Sequence, residues 1–142
     1  MFPHKGNAAA PSYDFEFARP LLEEAGALAK SLGHRLTFHP GQFNVVGTPS
    51  EETFAKTIAE LDWHAEVLDI MGCDQDSIMV VHGGGVYGDK PATIARWAQN
   101  FRRLPERVRR RLVLENCEKC YSVADCLEIS VPLVGIRPVC AM

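Results

Sequence analysis

The sequence predicts an α/β fold, a parallel sheet covered by helices, on three observations. Three short apolar runs are rich in β-branched residues and carry no polar alternation: Arg35 to His39, Ile78 to His82 and Arg111 to Glu115. Amphipathic segments with helical spacing precede and separate them. Helix and strand therefore alternate, which is the pattern that builds parallel sheets. An open doubly wound sheet and a piece of a (β/α)8 barrel both satisfy this order. A complete barrel needs roughly 250 residues, so the barrel reading makes this chain of 142 residues a partial barrel.

The first helix is expected from about Phe15 to Leu32, with Phe17, Leu21, Ala25, Leu28 and Leu32 as its apolar stripe, Pro20 in its first turn and Gly33 past its end. That stripe should pack onto the strand that follows. The second helix is predicted after "TPSE", where Thr48, Pro49 and Glu51 match a capping box with proline at the first helical position. Phe54, Ile58, Leu61, Ala65 and Leu68 form its apolar face, and Gly72 ends it after Met71. Further helices are expected from about Lys90 to Leu104 and from Val123 to Ile129, capped by Asp89 and Ser122. A fourth strand is expected to begin at Val131 to Val134.

A hydrophobic content of 46% with 23% charged residues is ordinary for one globular domain over residues 1–142. A net charge of −3 and a pI near 5.9 argue against wholesale attraction to nucleic acid or anionic lipid, leaving room for a local positive site built by bound cations. No run is long and apolar enough to span a membrane, and "MFPHKGNAAAP" lacks the features of a signal peptide. The expectation is a soluble intracellular protein with no membrane partner. Five cysteines, an odd number, argue for reduced thiols rather than a disulfide framework, and the lone C-x-x-C of Cys117 and Cys120 lacks the second ligand pair of a structural zinc site.

Each of the three strands ends in a residue able to bind metal: "LTFH" in His39, "IMVVH" in His82 and "LVLE" in Glu115. The carboxyl ends of parallel strands share one face, so these side chains should converge although they lie far apart in sequence. Two imidazoles and a carboxylate suit Zn²⁺ or Mn²⁺, with Mg²⁺ as a further candidate, and a glutamate has a second oxygen with which to bridge another ion. A single histidine at a strand end is more often a hydrogen-bonded polar residue than a ligand; three ligand types in register change that balance.

Other motifs carry less. The run "HGGGVYGDK" after His82 is either a flexible turn or a side-chain-free loop that approaches a phosphate, and it matches no Walker or dinucleotide fingerprint, so no nucleotide cofactor is expected. The basic run "RRLPERVRRR" precedes the third strand, at the face opposite the strand ends, and is expected to be a solvated basic surface. Trp63, His64 and Trp97 sit in helical apolar patterns as packing residues, and His34 lies just past a helix end, where a cation is favoured.

Taken together, "FPHKGN", "FARPLLEE", "HRLTFHPGQFNV", "VVHGGGVYGDK" and "RLVLEN" resemble the UV damage endonucleases, the UvdE-type DNA repair nucleases. The resemblance extends to Val134, and "HPGQF" followed by "HGGGVYGDK" is its most specific part. It implies a TIM barrel, here a partial one with parallel strands covered by helices. It implies metal-dependent incision of the phosphodiester bond 5′ to UV photoproducts in double-stranded DNA, opening an alternative excision repair. On that resemblance His39, His82 and Glu115 are metal ligands, Glu115 bridging two ions. Gln42 and Phe43 probe the duplex at the lesion, and Tyr87 and Lys90 lie near the DNA backbone. A damaged dinucleotide stacks and pairs poorly, so extruding it costs less than extruding sound bases, and a wedge of one amide and one flat ring fills the gap. Many members carry tyrosine where Phe43 stands, which keeps the stacking face. The full-length family implies a monomer, in the nucleus of a eukaryote or the cytoplasm of a bacterium.

The chain departs from the family at both ends. It opens beyond the first two strands, and after "VPLV" the tail 135–142, "GIRPVCAM", replaces a strand with further ligands. The expectation is therefore a truncated chain that holds at most one ion tightly and whose own incision activity is impaired. Two other readings stay open at this stage: a metal-dependent sugar isomerase or epimerase on a related barrel, and an inactive DNA-binding fragment.

Overall fold

A computed structural model describes residues 13–117 and 119–133 in full and the backbone of 137–139. His4, Cys140, the "FPHKGN" segment and most of the tail lie outside the described residues. The elements are α1 (Arg19–Ser31), α2 (Glu51–Ile70), β1 (Met79–His82), α3 (Lys90–Arg103), α4 (Glu106–Arg109), β2 (Leu112–Glu115), α5 (Val123–Ser130) and β3 (Arg137–Val139). The sheet runs β1-β2-β3, all parallel, with His82 level with Glu115 and Glu115 level with Val139.

The run 35–39 is shorter in the sheet than expected. Phe38 alone bridges Met79 in parallel: its N–H donates to the Ile78 carbonyl at 3.0 Å and its carbonyl accepts from Val80 at 2.9 Å. Pro40 follows at once and has no N–H with which to continue a ladder. The fourth strand is also displaced. Residues 131–133 form a turn that closes α5, and the strand begins at Arg137, inside the tail.

Helix α2 begins two residues later than predicted. Ser50 is its cap, accepting from the Thr53 N–H at 3.2 Å, so Pro49 stands outside the helix. Asp89 caps α3 by accepting from Ala92, and Ser122 with Asp125 forms a full capping box on α5. The core lies between these helices and one face of the sheet: Leu61, Leu68, Met79, Val81, Trp97, Leu112, Leu114 and Tyr121 are all buried there. Trp63 and His64 are buried as expected, with their rings stacked 3.6 Å apart, and burial lowers the His64 pKa below its ordinary value.

Helix α1 reverses its expected orientation. Phe17, Leu21, Leu28 and Leu32 are between 58% and 69% exposed, whereas Gly26 and Ala29 are buried. A methyl group at position 26 would sit 1.8 Å from the Met71 carbonyl oxygen, so α1 approaches the end of α2 through its smallest residues and leaves Leu21 and Leu28 outside.

The basic run is not simply solvated. Arg103 pairs with Glu51, Arg107 with Asp62, and Arg110 with Asp69, pinning the α3 to β2 connection onto α2. Arg111 is buried, donating to the carbonyls of Cys73, Asp74 and Ser77 and to the Asp69 carboxylate. A guanidinium supplies enough donors to satisfy several carbonyls where a loop turns inward, which is why a charge is tolerated there.

Candidate metal centre

His82 and Glu115 are the last residues of two paired strands at the same level of the sheet. Alternation along β1 sends Met79 and Val81 into the helix-covered core and Val80 and His82 to the opposite face. His39 reaches the same place because Phe38, the residue before it, is pinned beside β1.

The three side chains meet. His39 Nε2 lies 3.0 Å and His82 Nδ1 3.5 Å from the same carboxylate oxygen, Glu115 Oε2, and the two imidazole rings are 4.9 Å apart between centroids. One donor atom from each residue falls within 4.8 Å of the others. Ligands at about 2.1 Å from a tetrahedral ion lie about 3.4 Å apart, close to the 3.0 and 3.5 Å from the two imidazoles to Glu115. Two imidazole nitrogens and a carboxylate oxygen are a donor set suited to a divalent cation. Glu115 is the least accessible of the three, with its side chain 18% exposed.

Beside the centre opens a cleft of about 440 Å³, lined in part by Gln42, Phe43, His82, Cys117, Lys119 and Cys120. Phe43 is 83% exposed, yet the loop bearing it is anchored on both sides. Asn44 bonds back to the Gly41 carbonyl through its side chain, and the Val45 N–H donates to Thr57 Oγ1. The Asn100 amide donates to the carbonyls of Val46 and Thr48, and Arg96 donates to Gly47. A rigid loop thus holds an aromatic ring out in solvent at the rim of the cleft.

The glycine run after His82 is shaped by packing. A methyl at Gly83 would meet the Tyr121 ring at 2.5 Å, and Gly84 has φ +86° with Val45 close against it. Tyr121 is fully buried, its hydroxyl donates to the Gly85 carbonyl, and burial pushes its pKa up to about 12. Tyr87 is 47% exposed with φ 50°, and the Arg96 guanidinium lies over its ring. Lys90 forms an ion pair at 2.6 Å with Asp125, whose carboxyl that lysine and Ser122 hold down to about 2. Asn100, Asp125 and Tyr121 were not singled out by sequence. Of these, only Asp125 had a signal, as the third helical residue after the Ser122 cap.

Comparison with known proteins identifies the family. The family model for the UV-endonuclease UvdE matches residues 1–134. The chain belongs to the UvdE family. Among UvdE relatives, a putative UV-damage endonuclease of Acanthamoeba polyphaga mimivirus is 45% identical over 93% of this chain and 42% of its own length. The UV-damage endonuclease of Neurospora crassa is 39% identical over 94% of this chain and 22% of its own. The crystal structure of SacUVDE superposes with a TM-score of 0.90 at 32% identity, over 96% of this chain and 46% of that one. The chain thus spans less than half the length of these UvdE relatives.

Proposed function

We propose that this chain carries one part of a UV-damage endonuclease: a divalent-cation site and a lesion-probing loop for incision of double-stranded DNA 5′ to UV photoproducts. The observation that carries this reading is the adjacency of the His39, His82 and Glu115 trio to the anchored loop bearing Gln42 and Phe43, in a chain of the UvdE family. The two imidazoles and the carboxylate hold the cation. When bound, it supplies Lewis-acid activation of water and neutralises charge on the phosphate oxygens.

The remaining chemistry belongs to the chain's own groups. Phe43 offers a flat apolar face at the cleft rim, where an unstacked base or the gap it leaves is covered by ring contact worth about 1–3 kcal/mol. Gln42 beside it brings one amide donor and one acceptor to the unpaired edges of the opposite bases. Lys119 sets a positive charge in the cleft wall of a protein whose net charge is −3, so backbone attraction is local rather than general. Lys90, engaged with Asp125, holds the start of α3 against the start of α5 and is a positioning residue in this scheme.

The test compares binding of the chain, with Mn²⁺ present, to duplexes of one sequence with and without a photoproduct. The reading predicts preference for the damaged duplex, lost in the Gln42→Ala, Phe43→Ala double variant while metal binding is kept. Equal affinity for both duplexes, or a preference untouched by the double variant, contradicts it. On irradiated plasmid the chain by itself is expected to nick weakly or not at all.

A further inference from the structure

The same cleft holds a second chemical feature that the metal trio does not use. After β2 the chain carries Cys117 and Cys120 and enters α5 at its Ser122 cap, so the two cysteines stand in sequence between a strand and a helix N-terminus. Both cysteines are free, partly accessible and in the cleft wall. Cys117 Sγ accepts the N–H of Cys120 at 3.2 Å and of Tyr121 at 3.3 Å, while the Cys117 N–H donates to the Tyr121 carbonyl at 2.8 Å. The 3.2 Å bond from the Cys120 N–H holds the Cys120 backbone directly against the Cys117 sulfur. Cys126 is buried, and Cys73 lies at the other end of the sheet in a separate pocket.

We propose that Cys117 and Cys120 are a dithiol modification site that a small hydroperoxide entering the cleft converts to an intramolecular disulfide. Cys117 is taken as the attacking sulfur because the Cys120 and Tyr121 N–H groups fix it in the cleft wall with the Cys120 backbone 3.2 Å away, so the second thiol is held within reach. Its sulfur forms a bond to one peroxide oxygen as the O–O bond breaks, and the thiol proton leaves with the other oxygen, as water from hydrogen peroxide or as the alcohol from an alkyl hydroperoxide. Cys120 then attacks the sulfenic sulfur: the S–S bond forms, the S–O bond breaks, and the hydroxyl departs as water with the Cys120 proton. Peroxide is reduced by two electrons and the two thiols are oxidised by two. The ring so closed lies between Glu115 and α5, in the wall facing Gln42 and Phe43. This site stands independently of the nuclease reading.

The experiment treats the full chain with hydrogen peroxide, quenches with iodoacetamide at intervals and maps peptides without reduction. Trypsin cuts after Lys119, so the disulfide leaves two peptides joined, with tandem spectra separating Cys120 from Cys126 and Cys140. The expected result is a Cys117 to Cys120 link that forms at least about tenfold faster in the folded chain than in the urea-unfolded chain, and that dithiothreitol reverses. In the Cys120→Ser variant, Cys117 should stop at a sulfenic acid that dimedone traps. Full alkylation of both cysteines after peroxide overturns the proposal, as does a link that forms no faster in the folded chain than in the unfolded one.

Discussion

Replacing Asn100 with alanine tests whether the loop that carries Gln42 and Phe43 is held from below. The Asn100 amide is buried and donates to two carbonyls, Val46 at 2.8 Å and Thr48 at 3.3 Å, while its own oxygen accepts from Arg103 at 3.0 Å. Each lost bond to a buried carbonyl costs about 1 kcal/mol, and the small void adds to it, giving about 2–3 kcal/mol in total. For a chain of this size that is a fall in melting temperature of about 6–10 °C. Urea unfolding measures the loss. Amide exchange measures where it falls, and protection should drop across 41–48 before it drops in β1 or β2. A loss below about 0.5 kcal/mol, typical of an uninvolved surface position, would refute the anchoring argument.

Other outcomes follow from the same geometry. The Asp125 carboxyl, held at about 2 against an ordinary 3.8 by Lys90 and Ser122, adds stability that is complete above the unfolded value and lost as pH falls through about 2. With Lys90 partly exposed, roughly 1–2 kcal/mol is at stake, so Asp125→Asn should unfold in less urea than wild type at about pH 6 and match it near about pH 2. Gly83→Ala forces a methyl to 2.5 Å from the buried Tyr121 ring and should cost about 1–3 kcal/mol, with weakened metal binding by the adjacent His82, read by calorimetry with Mn²⁺. Leu21→Glu with Leu28→Glu removes two exposed apolar side chains from α1 and should change unfolding free energy by under about 1 kcal/mol while reducing self-association in light scattering.

How far this structure was legible in its sequence depends on which physical rule governs each part. The convergence of His39, His82 and Glu115 follows from parallel strands sharing one carboxyl face, a rule that needs only strand identity and length. Helix ends were legible where the cap is a single side chain, as at Asp89 and Ser122. At α2 two hydroxyl residues flank a proline, and only geometry decides that Ser50 rather than Thr48 caps the helix. Periodicity marked the apolar stripe of α1 but carries no information about the neighbour, and the close fit of Gly26 on Met71 decided the orientation instead. Arg111 reads as one more charge in a basic run; its burial depends on three carbonyls of a distant loop that no local pattern announces. Asn100 is silent for the same reason, since the carbonyls its amide donates to lie more than fifty positions away.

The claim on which the rest stands is that His39, His82 and Glu115 hold one divalent cation. Anomalous diffraction from crystals of the Zn²⁺-loaded chain measures this directly. The account predicts a single strong peak about 2.0–2.2 Å from a nitrogen of each histidine and an oxygen of Glu115, absent in the Glu115→Ala chain. A peak elsewhere with this trio bare, or a peak unchanged by the loss of Glu115, would contradict it.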